Sequence, residues 1–147
     1  MPTLAENKKA KFEYQVLDSV EAGLMLTGAE VKSVRKGRMS LLGAYVTIAR
    51  GAVWLIGAHV QRYPQAGPQL EYDPERTRRL LLHKREIMKL AGKLEQKGLT
   101  LVPLSVYTKG SKIKISVGLA RGKKQFEKRE TIRKRDTDRE IRRSLKG

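Results

Sequence analysis

From residue 112 to residue 117 the chain alternates strictly: Lys112, Ile113, Lys114, Ile115, Ser116, Val117. Successive side chains of a β-strand point to opposite faces, so this order gives one apolar face and one wet face. Strands of that kind belong to antiparallel sheets that cover a core on one side only. The strand at residues 112–119 therefore needs partners. Residues 99–108 supply one, joined to it through Lys109-Gly110-Ser111. The apolar runs 44–49 and 52–58 are a second pair, with the tight hairpin signal Arg50-Gly51 between them. Residues 12–20 place Phe12, Tyr14 and Val16 on one face, and residues 24–26 form a short apolar run; these predict a hairpin bent at Ala22-Gly23.

Helices fit between the pairs. Thr27-Gly28-Ala29-Glu30 is a capping box, Val31 and Val34 are apolar partners three apart, and Gly37 is a C′ residue, which predicts a short helix over 28–36. Asp73-Pro74 has the form of an N-cap followed by proline at N1, and predicts a helix holding Arg76, Arg78 and Arg79. Ile87, Leu90, Ala91 and Leu94 recur at helical spacing in a longer helix that runs to about Lys97, and Gly98 ends it. Residues 60–72 contain Pro64, Gly67 and Pro68 and are expected to be a loop, and the polar residues 1–11 are expected to be loose. About six strands in hairpin order, with two or three helices, predict a mainly β fold: an OB-type antiparallel barrel with the helices packed outside. At 147 residues such a chain buries a core without disulfides or metal.

Charge sets the partner. Lys and Arg number 32 against 15 Asp and Glu, a formal +17. That self-repulsion is relieved by a polyanion, and each phosphate neutralised releases condensed counterions. The excess falls in three patches: Lys32, Arg35 and Lys36 on the short helix, the arginines and lysines of 76–85, and the chain end. Residues 121–147 carry twelve basic and five acidic side chains, net +7, with too few apolar residues for a core-facing stripe. Glu130 to Lys134 and Asp138 to Arg142 are acid-to-base pairs four apart, which favour helix. The expectation is a tail that is disordered when free and becomes helical on a polyanion. Five Tyr, two Phe and one Trp are too few for base stacking as the main mode, which favours phosphate and shape recognition of folded RNA.

Catalysis and metal binding find little support. There is no Cys, so thiolate chemistry, Cys-ligated zinc and disulfides are excluded. His59 and His83 fall on different expected elements without metal-ligand spacing, and no Gly-rich phosphate loop follows a strand. No cofactor, no metal and no enzymatic activity are expected. There is no apolar signal segment, no run of 18 apolar residues and no membrane-binding helix, so the expectation is a cytoplasmic, soluble monomer.

The stretch from Thr27 to Gly37, TGAEVKSVRKG, resembles the small protein B (SmpB) family, the bacterial tmRNA-binding proteins of trans-translation. The resemblance continues at Glu21-Ala22-Gly23-Leu24, through residues 73–87 (DPERTRRLLLHKREI), at Leu101-Val102-Pro103-Leu104 and through residues 122–130 (GKKQFEKRE). Asn7-Lys8-Lys9-Ala10 fits the family's N-terminal signature. The resemblance implies an OB-type barrel over residues 1–121 that binds the tRNA-like domain of tmRNA, and a tail over 122–147. In stalled ribosomes the tail is expected to enter the decoding centre of the small subunit and the vacant mRNA channel, where it becomes helical.

By position, the resemblance assigns Glu30, Leu81 and His83 to tmRNA binding. Glu30 also caps a helix and Leu81 sits in an apolar run, so either could act structurally. Asn7, Lys8, Lys9, Lys32, Arg35, Lys84, Arg85, Lys123 and Lys124 are the further candidates for that RNA. Phe126, Glu127, Lys128, Arg129, Arg133, Lys134 and Arg135 are candidates for the ribosome. Phe126-Glu127 stands where members often have Tyr or His followed by Asp; a Phe ring can stack on a base but cannot hydrogen-bond through the ring. A structural ribosomal protein with a threaded basic tail and a nuclease on an OB scaffold are the alternatives that composition alone leaves open.

Overall fold

The computed structural model describes residues 2–66, 71–96 and 98–123. In chain order the elements are β1 (Thr3–Glu6), α1 (Lys8–Glu13), β2 (Tyr14–Leu24), α2 (Gly28–Arg35), β3 (Met39–Ser40), β4 (Tyr45–Ala49), β5 (Ala52–Ile56), β6 (His59–Val60), β7 (Arg78–Leu81), α3 (Lys84–Leu94), β8 (Leu99–Lys109) and β9 (Lys112–Gly122). The sheet runs β8-β4-β5-β7-β2-β9, and β9 pairs back onto β8, so six strands close into an antiparallel barrel. β1 adds to the free part of β8's other edge, and β3 with β6 forms a separate small ribbon. The expected OB-type barrel with external helices is what forms.

Closure depends on local chemistry. Ile113, Ile115 and Val117 all point inward and are buried, while Lys112 is exposed and Lys114 and Ser116 are half-buried. Arg50 and Gly51 both adopt positive φ, as a two-residue hairpin of primed type requires, and they join β4 to β5 in register. Register shifts at Val16/Asp18 in β2 and at Pro103/Ser105 in β8 bend the two longest pairings, as β-bulges do, and allow the sheet to curl. Pro103, which cannot donate to a ladder, sits at the second of these. Val53, Leu55, Leu80, Val106, Ile115 and Val117 fill the interior, each contributing roughly 1.5–3 kcal/mol. α3 closes over the core with Leu90 buried and Ile87 and Leu94 packed beside it. Ala91 of the same predicted stripe is exposed.

Four expectations are corrected. The stretch expected to be loose, 1–11, is ordered over its described residues 2–11. Thr3–Glu6 pairs with β8, and Asn7 caps α1 by accepting from the Ala10 N–H at 3.2 Å while donating to the Pro103 carbonyl at 2.8 Å. Residues 12–26 are not a hairpin: Tyr14–Leu24 is one strand paired with β9 along its length, and Phe12 lies in α1. Gly23 serves a close approach, not a turn, because a Cβ there would meet the Leu81 Cβ at 3.2 Å. Asp73-Pro74 opens a turn instead of a helix. Asp73 accepts from the Glu75 and Arg76 backbone N–H groups, and Arg78–Leu81 becomes β7, bridging β5 and β2. The loop at 60–72 begins inside β6 and includes a 3₁₀ turn at Pro64–Ala66.

Candidate RNA interface

Glu30 lies at the N-terminal end of α2 with 1% of its surface exposed. The capping box is complete: Thr27 Oγ1 accepts from the Glu30 N–H, and Glu30 Oε1 accepts from the Thr27 N–H at 2.9 Å. The same carboxylate accepts from Arg76 through Nε and Nη2, from Arg78 Nε at 3.0 Å and Nη2 at 2.6 Å, and from the Tyr72 hydroxyl at 3.2 Å. Burial alone would raise its pKa; the hydrogen bonds from Arg76, Thr27 and Arg78 outweigh that and hold it at about 2. Arg78 is fully buried, and its remaining donors go to the carbonyls of Ala58, Pro74 and Arg76. This cluster fastens the 72–78 segment to α2. Its carboxylate has no surface to offer an RNA, and Arg78 leaves the basic patch expected at 76–85.

The exposed part of that patch is Arg79, Lys84 and Arg85, with Leu81 and His83 between them. Leu81 is 48% exposed and lies across from Gly23, which pairs in turn with Lys114 of β9. The absent side chain at Gly23 keeps open the space beside Leu81. His83 is the N-cap of α3, exposed, with its backbone N–H donated to the Glu86 carboxylate at 3.0 Å. One half-exposed apolar side chain, an exposed imidazole and flanking cations can meet ribose or a base edge and the adjoining phosphates.

Asn7, Lys8 and Lys9 stand at the start of α1. The Asn7 amide is consumed by its two hydrogen bonds, Lys9 pairs with Glu13 at 3.7 Å, and Lys8 is exposed. They border an open cleft of about 500 Å³ that Met39, Ser40 and the exposed Leu42 line from the other side. Lys123 belongs to this end: its N–H donates to the Glu13 carbonyl at 3.0 Å, and its ammonium lies 6.0 Å from the Phe12 ring centre.

Lys32 and Arg35 are elsewhere. Arg35 Nη2 donates to the Ser111 carbonyl at 2.7 Å, at the β8–β9 turn. Lys32 and Lys36 stand 5.7 and 5.2 Å from the centre of the Tyr63 ring. The ten steps of β9 separate that turn from Gly122, about 30 Å of strand. The structure thus brings Asn7, Lys8, Lys9 and Lys123 together, gathers Leu81 to Arg85 on the barrel wall, and puts Lys32 and Arg35 at the opposite end from α1. Lys124 and the tail candidates Phe126, Glu127, Lys128, Arg129, Arg133, Lys134 and Arg135 lie outside the described residues.

Sequence reasoning did not single out Tyr63, Lys112 or Lys114. The alternation at 112–117 already placed both lysines on the wet face; Tyr63 sits in a loop and carries no such signal. His59 is exposed on β6, 3.7 Å from Glu75, and His83 lies on a different element as the N-cap of α3. Among the described residues no group of three His, Asp or Glu side chains could hold a metal ion. No described helix is long and apolar enough to cross a membrane.

Fold and surface define a class: a small antiparallel barrel of the OB type whose exposed faces carry separated clusters of cations. The chain matches the family described as SmpB protein over residues 4–147. It is 50% identical to an SsrA-binding protein of Gloeothece citriformis, over 97% of this chain and 92% of that one. It is 48% identical to an SsrA-binding protein of Roseiflexus castenholzii, over 97% and 90%. A solved structure described as "tmRNA-SmpB: a journey to the center of the bacterial ribosome" contains a chain of the same fold, with TM-score 0.67 and 41% identity over 87% of this chain and 93% of that one. The chain belongs to the SmpB family.

Proposed function

We propose that this protein is a tmRNA-binding adaptor of trans-translation, the rescue of stalled ribosomes. The observation that carries the reading is the match to SsrA-binding proteins at up to 50% identity across 97% of the chain, on a barrel that holds the same fold as the SmpB chain. The barrel, residues 1–121, binds the tRNA-like domain of tmRNA. Lys8, Lys9, Leu81, His83, Lys84, Arg85 and Lys123 supply exposed or half-exposed contacts to it, with Lys32 and Arg35 at the far end. Asn7 positions the α1 lysines and Glu30 positions the 72–78 segment; both act through the backbone they hold. The tail, residues 122–147, engages the decoding centre and the vacant mRNA channel as a helix, through Phe126 to Arg135. The protein works as a monomer in the cytoplasm and catalyses no reaction itself.

Two sites imply separable losses. Deleting residues 124–147 is expected to leave specific tmRNA binding largely intact and to abolish tagging of stalled chains in a reconstituted translation system. Loss of specific tmRNA binding in that truncation would contradict the division.

A further inference from the structure

We propose that Lys32 and Lys36, held over the ring of Tyr63, form a phosphate-binding clamp for the tmRNA backbone, separate from the cations gathered around α1. The proposal rests on the functional reading above and adds a site and a positioning residue to it.

Lys32 and Lys36 are four residues apart, so their Cβ atoms stand about 6 Å from one another on the same side of α2. Like charges at that spacing repel. The usual remedy is a neighbouring carboxylate, and α2 has one acidic residue, Glu30, which is buried and fully engaged with Arg76 and Arg78. Among the described residues no carboxylate pairs with either lysine. What holds the two ammoniums is the half-buried Tyr63 ring, whose negative face attracts cations without neutralising them. The result is a pair of exposed, oriented, unneutralised charges, the arrangement a phosphodiester completes. Arg35 adds rigidity: its bond to the Ser111 carbonyl ties α2 to the β8–β9 turn, where the exposed Lys112 extends the cationic surface.

Position selects the RNA. Residues 124–147 depart from Lys123, which is fastened to α1 through the Glu13 carbonyl. The clamp lies at the other end of β9, about 30 Å along the strand. It therefore stands apart from the point where the tail leaves the barrel, on the barrel body to which the functional reading assigns tmRNA.

The test uses the full-length protein, with binding to tmRNA measured at several salt concentrations and binding to ribosomes measured in a separate arm without tmRNA. The double variant Lys32→Gln with Lys36→Gln is expected to weaken tmRNA binding about ten-fold near physiological salt and to lower the slope of log affinity against log salt by about 1.5. Its ribosome binding stays at the wild-type level. Lys32→Arg with Lys36→Arg stays within about two-fold of wild type, since charge is kept. Tyr63→Leu weakens tmRNA binding and Tyr63→Phe restores it, because the ring and not the hydroxyl organises the lysines. An unchanged affinity and salt slope in the glutamine pair overturns the clamp, and a loss confined to ribosomes overturns its assignment to tmRNA. If wild type binds tmRNA and bulk tRNA alike while the glutamine pair loses slope on both, the functional reading fails and the phosphate site stands.

Discussion

Replacing Glu30 with Gln isolates the charge that fastens the 72–78 segment to α2. Gln at this position retains an acceptor for the Thr27 N–H, so the capping box survives in neutral form. What is lost is the carboxylate facing two guanidiniums. Arg78 is fully buried and keeps only neutral acceptors, the carbonyls of Ala58, Pro74 and Arg76 and the Tyr72 hydroxyl, so its charge is left in the interior without a counter-charge. Removing one partner of a buried pair costs about 3–5 kcal/mol, and Glu30→Gln is expected to fall in that range. Arg76, whose side chain is 34% exposed, can hydrate and adds little. Urea unfolding followed by the fluorescence of Trp54, which lies on β5 opposite Arg79, measures the change. Adding Arg78→Met removes the stranded charge and is expected to recover about half of the loss; the Ala58 and Arg76 carbonyls, which lose the guanidinium, keep the rest, while the Pro74 carbonyl retains the Val60 N–H. Any fall in tmRNA affinity should track the loosening of the loop and leave the salt slope unchanged, because no phosphate contact is removed. A cost below about 1 kcal/mol, or a double variant no more stable than Glu30→Gln alone, would refute the reasoning.

The same carboxylate makes stability depend on pH. Its pKa is lowered from 4.5 to about 2 on folding, so its contribution is complete above pH 4.5 and is lost as pH falls toward 2. The loss amounts to about 3 kcal/mol, and an acid titration of Glu30→Gln should be flatter by that amount. Leu81→Ala removes a half-exposed side chain; it is expected to change stability by less than about 1 kcal/mol and to cost about 1–2 kcal/mol of tmRNA binding, read by unfolding and by filter binding. Gly118→Ala puts a Cβ within 3.0–3.2 Å of three Leu104 side-chain atoms, and is expected to destabilise by about 1–3 kcal/mol in the same unfolding assay, with partial recovery when Leu104→Ala is added.

Much of the barrel was legible because its hairpins carry their own instructions. Arg50-Gly51 and Lys109-Gly110-Ser111 specify turns, and the alternation at 112–117 specifies a face. α2 and the longer helix α3 were legible for the same reason, through a capping box and helical spacing. β7 was not. Its sequence Arg-Arg-Leu-Leu faces in, out, in, out, but the first inward residue is an arginine whose counter-charge comes from Glu30, 48 positions earlier. No local pattern announces that pairing, while Asp73-Pro74 gives a local helix signal that tertiary pairing overrides. The strand β2 was misread because Gly23 has the look of a turn; it is glycine to make room for Leu81, again a distant residue. Asn7 before Lys8 could have signalled α1, but six residues give little periodicity. The site divides in the same way. Exposed cations could be named from the sequence, whereas their separation to opposite ends of β9 follows only from closure of the barrel.

The central claim is that the barrel recognises tmRNA specifically, beyond the attraction of a +17 chain for any polyanion. Competition of labelled tmRNA against bulk tRNA at near-physiological salt tests it most directly, since nonspecific phosphate attraction collapses as salt rises. The account predicts that tmRNA stays bound under an excess of tRNA. Equal displacement by both RNAs would contradict it.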